Sequence, residues 1–119
     1  MKPQSEKQSE KQFETGIRNW LHSVGVYAAG TPFHRMKVPI QGWYIKVWGG
    51  GFQRAGIPDL LLCVRGKFIA AELKSATGKP TELQQKNIQM IKDGGGIAVV
   101  LYPDKLIKFM EIVMEVIKE

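Results

Sequence analysis

The sequence predicts an α/β domain with a central mixed sheet, built around a β-hairpin and flanked by helices. Three observations predict it. Two apolar runs flank Arg65-Gly66 within residues 56–74, which reads as strand, tight turn, strand. A helical segment from Thr81 to about Asp93 then leads into a continuous apolar run at 97–102, the order of a βαβ crossover. Helical periodicity near both ends of the chain supplies layers to cover the sheet. One domain is expected from 119 residues, and 44% hydrophobic with 24% charged residues is ordinary for a globular chain.

The chain opens on a polar stretch, 1–8, read as a flexible terminus, with the single domain spanning 9–119. A helix is expected over 9–23, where Phe13, Ile17, Trp20 and Leu21 recur at helical spacing and Gly25 ends the pattern. Glu10 and Glu14 lie one turn apart beside that stripe. Val24, Val26 and Tyr27 suit a short strand, and Thr31 to Lys37 form a loop carrying His34, Arg35 and Lys37. A strand is expected from Trp43 to Trp48, with Lys46 inside it, before Gly49-Gly50-Gly51 breaks regular structure.

The hairpin carries the chemistry. If the loop is two residues long, Val64 faces Lys67 and Asp59 falls directly opposite Glu72. Lys74, two positions beyond Glu72, shares its face. Arg65 is not the Asn or Asp favoured at the first position of such a turn, and a one-residue slip would put Asp59 and Glu72 on opposite faces. Like charges directly opposed are destabilising and call for a compensating charge. A divalent cation is the natural candidate, because Mg²⁺ commonly takes one or two carboxylates plus substrate phosphates. An ordinary salt bridge from Lys74 to either carboxylate is the competing reading. Cys63, the one cysteine, lies in the first hairpin strand and is read as a core thiol.

After the hairpin, residues 74–80 form a loop, and Thr81-Glu82-Leu83-Gln84 fits a capping box, so Gln84 can serve as a cap. Gly94-Gly95-Gly96 stops the helix, and the strand at 97–102 is expected to run parallel to the one carrying Glu72. The last helix, from Pro103-Asp104, is apolar at Leu106, Ile107, Phe109, Met110, Ile112, Val113, Met114, Val116 and Ile117, wider than the stripe one docking face needs. That surplus points to a homodimer contact, with burial of the helix within the monomer as the competing reading.

A net charge of +6 favours a polyanionic partner, nucleic acid before membrane. Neither a signal peptide nor an apolar run of membrane-spanning length is visible, and a single cysteine suits a reducing compartment. No phosphate-binding loop pattern follows any strand. His22, His34 and Cys63 form no pair or cluster at zinc-ligand spacing.

Pro58-Asp59 followed by Glu72-Leu73-Lys74 resembles the PD-(D/E)XK nuclease superfamily. Gly56-Ile57-Pro58-Asp59-Leu60, residues 67–74, Gly78-Lys79-Pro80-Thr81-Glu82-Leu83-Gln84 and Gly94-Gly95 together look like the virus-type replication-repair nuclease (VRR-NUC) domain, over nearly the whole stretch from Glu10 to about Tyr102. The resemblance implies a restriction-endonuclease-like core and a metal-dependent phosphodiesterase using one or two Mg²⁺ or Mn²⁺ ions. It puts the metal on Asp59, Glu72 and the main-chain carbonyl of Leu73, and makes Lys74 the group that orients the attacking water. Its helix glutamate falls on Glu10, with Glu14 as the alternate, and its glutamine falls on Gln84. Small stand-alone members imply a homodimeric, structure-selective DNA endonuclease acting on four-way (Holliday) or other branched junctions. An inactive DNA-binding module and a nuclease for flaps or linear DNA are the alternatives. Lys46, Arg54 and Lys79 are the candidate DNA contacts, with Arg35 and Lys37 beside them. A cytoplasmic setting, in a bacterial cell or a virus-infected host cell, is expected.

Overall fold

Arg65 and Gly66 both take left-handed backbone, with φ of 49° and 84°. Positive φ at both central residues closes a two-residue hairpin whose twist matches its strands. The computed structural model describes residues 4–47 and 55–119, with side chains from residue 11 onward. Within it, β3 (Leu60–Val64) and β4 (Lys67–Leu73) pair antiparallel with Val64 opposite Lys67 and Leu60 opposite Ala71. This is the register that sets Asp59 against Glu72. The less favoured residue at the first turn position does not shift it.

The sheet has five strands in sequence order. Edge strand β1 (Val26–Ala28) runs parallel to β2 (Gly42–Lys46), which is antiparallel to β3. On the far side β5 (Ile97–Leu101) lies parallel to β4, joined to it through α2 (Glu82–Asp93), as the crossover predicts. The β2 strand is shorter than expected, and Trp48 and the three glycines after it lie outside the described residues.

Strand alternation sorts side chains between two unequal layers. Leu60, Leu62, Val64, Ile69, Ala71 and Tyr44 face one way, where α1 (Gln4–Ser23) and α3 (Leu106–Lys118) cover them with Ile17, Leu21, Phe109, Val113 and Val116. The opposite face is covered over β4 and β5, where Ile88 of α2 packs on Ala70 and Ala98. The first helix starts at Gln4, five residues before the expected boundary. Glutamine, glutamate and lysine are good helix formers, and polarity bars such residues from a core without barring them from a helix.

Cys63 corrects one expectation. It is in a strand but exposed, paired across the sheet with Trp43 and Phe68, which are also exposed. Alternation points it away from the α1/α3 core, and the helix on its own face packs against Leu61, Ala70 and Ala98 instead. The surplus apolar character of the last helix is partly outward: Phe109 and Val113 are fully buried, whereas Ile107 is 72% exposed. A short 3-10 turn, Pro103–Lys105, precedes that helix. No helix among the described residues is long and apolar enough to cross a membrane.

The segment that delivers the chain to Asp59 is pinned to α2. Gly56 has φ of 82°, and its carbonyl accepts a hydrogen bond from Asn87 Nδ2 at 2.9 Å. A Cβ at Gly56 would lie 2.6 Å from Leu83 Cγ. Pro58, two residues on, is fully buried. Gly56→Ala therefore combines a disfavoured backbone with a clash, and is expected to cost about 1–3 kcal/mol of stability in urea denaturation.

Candidate functional site

Asp59 stands at the mouth of the hairpin, one residue before β3. Its carbonyl accepts from Val47 N at 2.7 Å, which extends the β2–β3 ladder by one pair. Its side-chain Oδ2 accepts from Leu73 N at 2.7 Å. A residue's N–H and C=O leave a strand on the same side. The Leu73 carbonyl thus also faces the Asp59 side, while the next amide, Lys74 N, turns the other way to Leu101 O at 2.9 Å on β5. Two carboxylates and one main-chain carbonyl converge where β3 has not yet begun.

Glu72 is 2% exposed. Its carboxyl pKa is pushed up to about 8, first by burial, then by its hydrogen bond to Asp59 and the charge there, with Lys74 pulling the other way. Near neutral pH the pair thus holds a proton. Glu72 Oε2 is buried and lacks a hydrogen-bond partner. Such an atom costs stability unless something satisfies it.

These groups open into a cavity of about 410 Å³ between the start of α2, the end of the hairpin and α1. Lys74 and Lys79 line it, as expected of residues following Glu72. Gln84 lines it too, but its Oε1 accepts from Thr81 N at 2.8 Å and its own N donates to Thr81 Oγ1 at 3.1 Å, so the capping box is formed. Of the two candidate glutamates on α1, Glu14 lines the cavity and is ion-paired with Lys46. Glu10 lies one turn earlier, and its side chain falls outside the described residues. Lys46, anticipated as a DNA contact, shares the cavity wall with Glu14; Arg54 lies outside the described residues. Ser75 is a lining residue that sequence reasoning passed over. It is 8% exposed, and its carbonyl accepts from Gly78 N at 3.1 Å in the turn that follows Lys74. Its only signal in the sequence is adjacency to Lys74.

Among the described residues, no group of three or more His, Cys, Asp or Glu side chains is placed to hold a metal. The donors at hand are all oxygens: Asp59, Glu72 and the Leu73 carbonyl. That set fits Mg²⁺ or Mn²⁺, which complete their shells with water and substrate oxygens, and does not fit a zinc site. The partnerless Glu72 Oε2 is the observation that favours a cation here.

No family model, curated protein or solved structure compared with this chain matches it. The chemistry of the site therefore rests on the side chains themselves.

The raised Glu72 pKa has a thermodynamic consequence. Between the unfolded value near 4.5 and the native value near 8, the folded state holds more protons than the unfolded state. Stability from this group is therefore lost as pH rises across that window. In EDTA, the wild-type melting temperature is expected to fall from pH 5 to pH 8.5 relative to Glu72→Gln, with the variant about 5 °C or more the higher at pH 8.5. Parallel pH profiles for the two proteins would contradict this.

Proposed function

We propose that this protein is a metal-dependent phosphodiesterase, and within that class a structure-selective DNA endonuclease. The observation that carries the reading is the buried Glu72 beside the half-buried Asp59, with Glu72 Oε2 lacking a partner and Lys74 two residues on, at one wall of an open cavity. A carboxylate pair with one member buried is a poor structural element and a good cation holder. Asp59, Glu72 and the Leu73 carbonyl are the groups that would hold Mg²⁺ or Mn²⁺. When bound, such an ion supplies Lewis acidity and lowers the pKa of its water.

The chain's own groups divide the remaining work. The Leu73 amide fixes Asp59 through Oδ2, so the carboxylate is oriented before any ligand arrives. Lys74 contributes fixed positive charge where charge develops on the phosphoryl oxygens. The Glu14–Lys46 pair adds a third carboxylate and a further ammonium to the cavity wall. Lys79 lies exposed at its rim, suited to a flanking phosphate.

The order of elements supports a restriction-endonuclease-like core of the VRR-NUC type: an N-terminal helix carrying Glu10 and Glu14, a hairpin carrying Asp59 and Glu72-Leu73-Lys74, then helix, strand and helix. For the substrate we propose four-way or other branched DNA, cut by a homodimer in a bacterial or virus-infected cytoplasm. Two copies related by a two-fold axis would present two sites to a two-fold-related junction. The surface that favours a second copy is a broad groove of about 710 Å³ beside α1 and α3, where Trp20, Val24, Ile107, Met110 and Met114 are bordered by Glu111, Glu115 and Lys118.

Cleavage of labelled four-way junction, flap and linear duplex, with and without Mn²⁺, tests the reaction. Metal-dependent cutting of the junction is expected, with Lys74→Ala lowering kcat about 10²–10³-fold while DNA binding persists. Cutting of flaps or linear DNA would discard the junction preference. Tight binding without metal-dependent cutting would leave a DNA-binding module. Light scattering on eluted protein tests the dimer: wild type is expected at twice the chain mass and Ile107→Glu at the chain mass, whereas a monomeric wild type would remove the two-fold argument.

A further inference from the structure

A second cavity, of about 590 Å³, lies between α1, β1 and the connection that follows β1. Three cationic side chains line it: Arg18 from α1, and Arg35 and Lys37 from the connection. No carboxylate lines it among the described residues. Among the described residues, the one carboxylate acting on this cluster is Glu14, one helical turn from Arg18 and outside the cavity lining, so the three cations carry an excess of positive charge, the arrangement that attracts an anion.

The cavity is built rather than incidental. Tyr44 is fully buried, and its Oη sits 3.2 Å from Arg18 Nε and 2.9 Å from His22 Nε2. Burial and the Arg18 charge lower the His22 pKa, so the imidazole is neutral near pH 7. Neutral His22 can accept the phenol proton while Tyr44 Oη accepts from Arg18 Nε–H. The guanidinium is thereby oriented through its Nε by a core side chain. On the other wall, the connection is fastened to β1: Tyr27 Oη donates to Val38 O at 2.9 Å and lies 3.2 Å from Val38 N. Arg35 ends a 3-10 turn, Phe33–Arg35, in that fastened segment.

Its place relative to the carboxylate cavity decides the ligand. Arg18 follows Glu14 by one helical turn, about 6 Å along α1. Tyr44 precedes Lys46 by two residues of β2, about 7 Å. The two cavities therefore follow one another along α1, although no described residue lines both.

We propose that this cavity holds a backbone phosphate of the same nucleic-acid strand whose neighbouring phosphodiester lies at Asp59 and Glu72. The assignment rests on the phosphodiesterase reading for that neighbour. It gives the segment between β1 and β2 a role: Arg35 and Lys37 fix where along the strand the carboxylate cavity acts.

The test uses Arg35→Gln with Lys37→Gln in the full chain, since both side chains are exposed and neither supports the core. Binding of labelled four-way junction DNA is measured by anisotropy in EDTA across a salt series. The double variant is expected to bind about tenfold more weakly, with a salt slope smaller by about 1 and an unchanged melting temperature. Unchanged affinity and slope would overturn the proposal, even if wild-type protein cuts DNA. Weakened binding in the variant, with no cutting by wild type, would support the strand site while removing the cleavage reading. In a second arm, inorganic phosphate is titrated while the His22 ring is followed by NMR. A phosphate-induced shift, together with DNA affinity indifferent to the double substitution, would make the cavity a small-anion site and overturn the strand assignment.

Discussion

The register of the hairpin is the constraint on which everything else rests. A strand has a side-chain period of two, so the pairing of Val64 with Lys67 decides at once which residues enter the core and which carboxylates meet. With this pairing Leu60, Leu62, Val64, Ile69 and Ala71 form one apolar surface, and α1 and α3 close over it. Asp59 and Glu72 fall on the other parity, at the end away from the turn. A slip of one residue would turn one strand's core side chains to the opposite face and set Asp59 and Glu72 on different faces. The core therefore holds the site in place: the free energy of burying five apolar side chains opposes any rearrangement that would relieve the carboxylate repulsion.

That repulsion is then handled locally. The Leu73 amide satisfies one oxygen of Asp59, and burial beside the Asp59 charge raises the Glu72 pKa to about 8, which favours its neutral form near neutral pH. The same position cannot carry both that proton and a full pair of ionised metal ligands. Proton and cation compete for the pair, and the outcome depends on pH. Lys74 belongs to this balance as well, because its charge favours the ionised form of Glu72 that burial disfavours.

Much of the fold was legible because its signals are local. The capping box at Thr81 and Gln84, the crossover to β5 and the two-residue turn each rest on a few adjacent residues, and each is present. The pairing of Asp59 with Glu72 followed from the turn alone. What escaped depended on how layers meet. Nothing in the strand pattern says that the helix over β4 and β5 leaves Trp43, Cys63 and Phe68 uncovered, since that follows from where α2 lies and how wide it is. The choice between Glu10 and Glu14 was open for a related reason. Both lie on one helical stripe, and it takes the Lys46 ammonium on a distant strand to mark Glu14 as a residue of the cavity wall. Arg18 and His22 gave no sequence signal, because the group that gathers them, Tyr44, is a core residue twenty or more positions away.

The outward-facing Cys63 thiol makes this protein easy to label and easy to misjudge. One accessible sulfhydryl on a rigid strand, at the turn end of the hairpin and away from the carboxylates, takes a maleimide dye at a single known point without any substitution. Air oxidation can join two chains through the same atom. A covalent pair formed in that way would run at twice the chain mass while having nothing to do with the groove at α3. Sizing under reducing conditions separates the two, and a dye on Cys63 reports tumbling without touching either cavity.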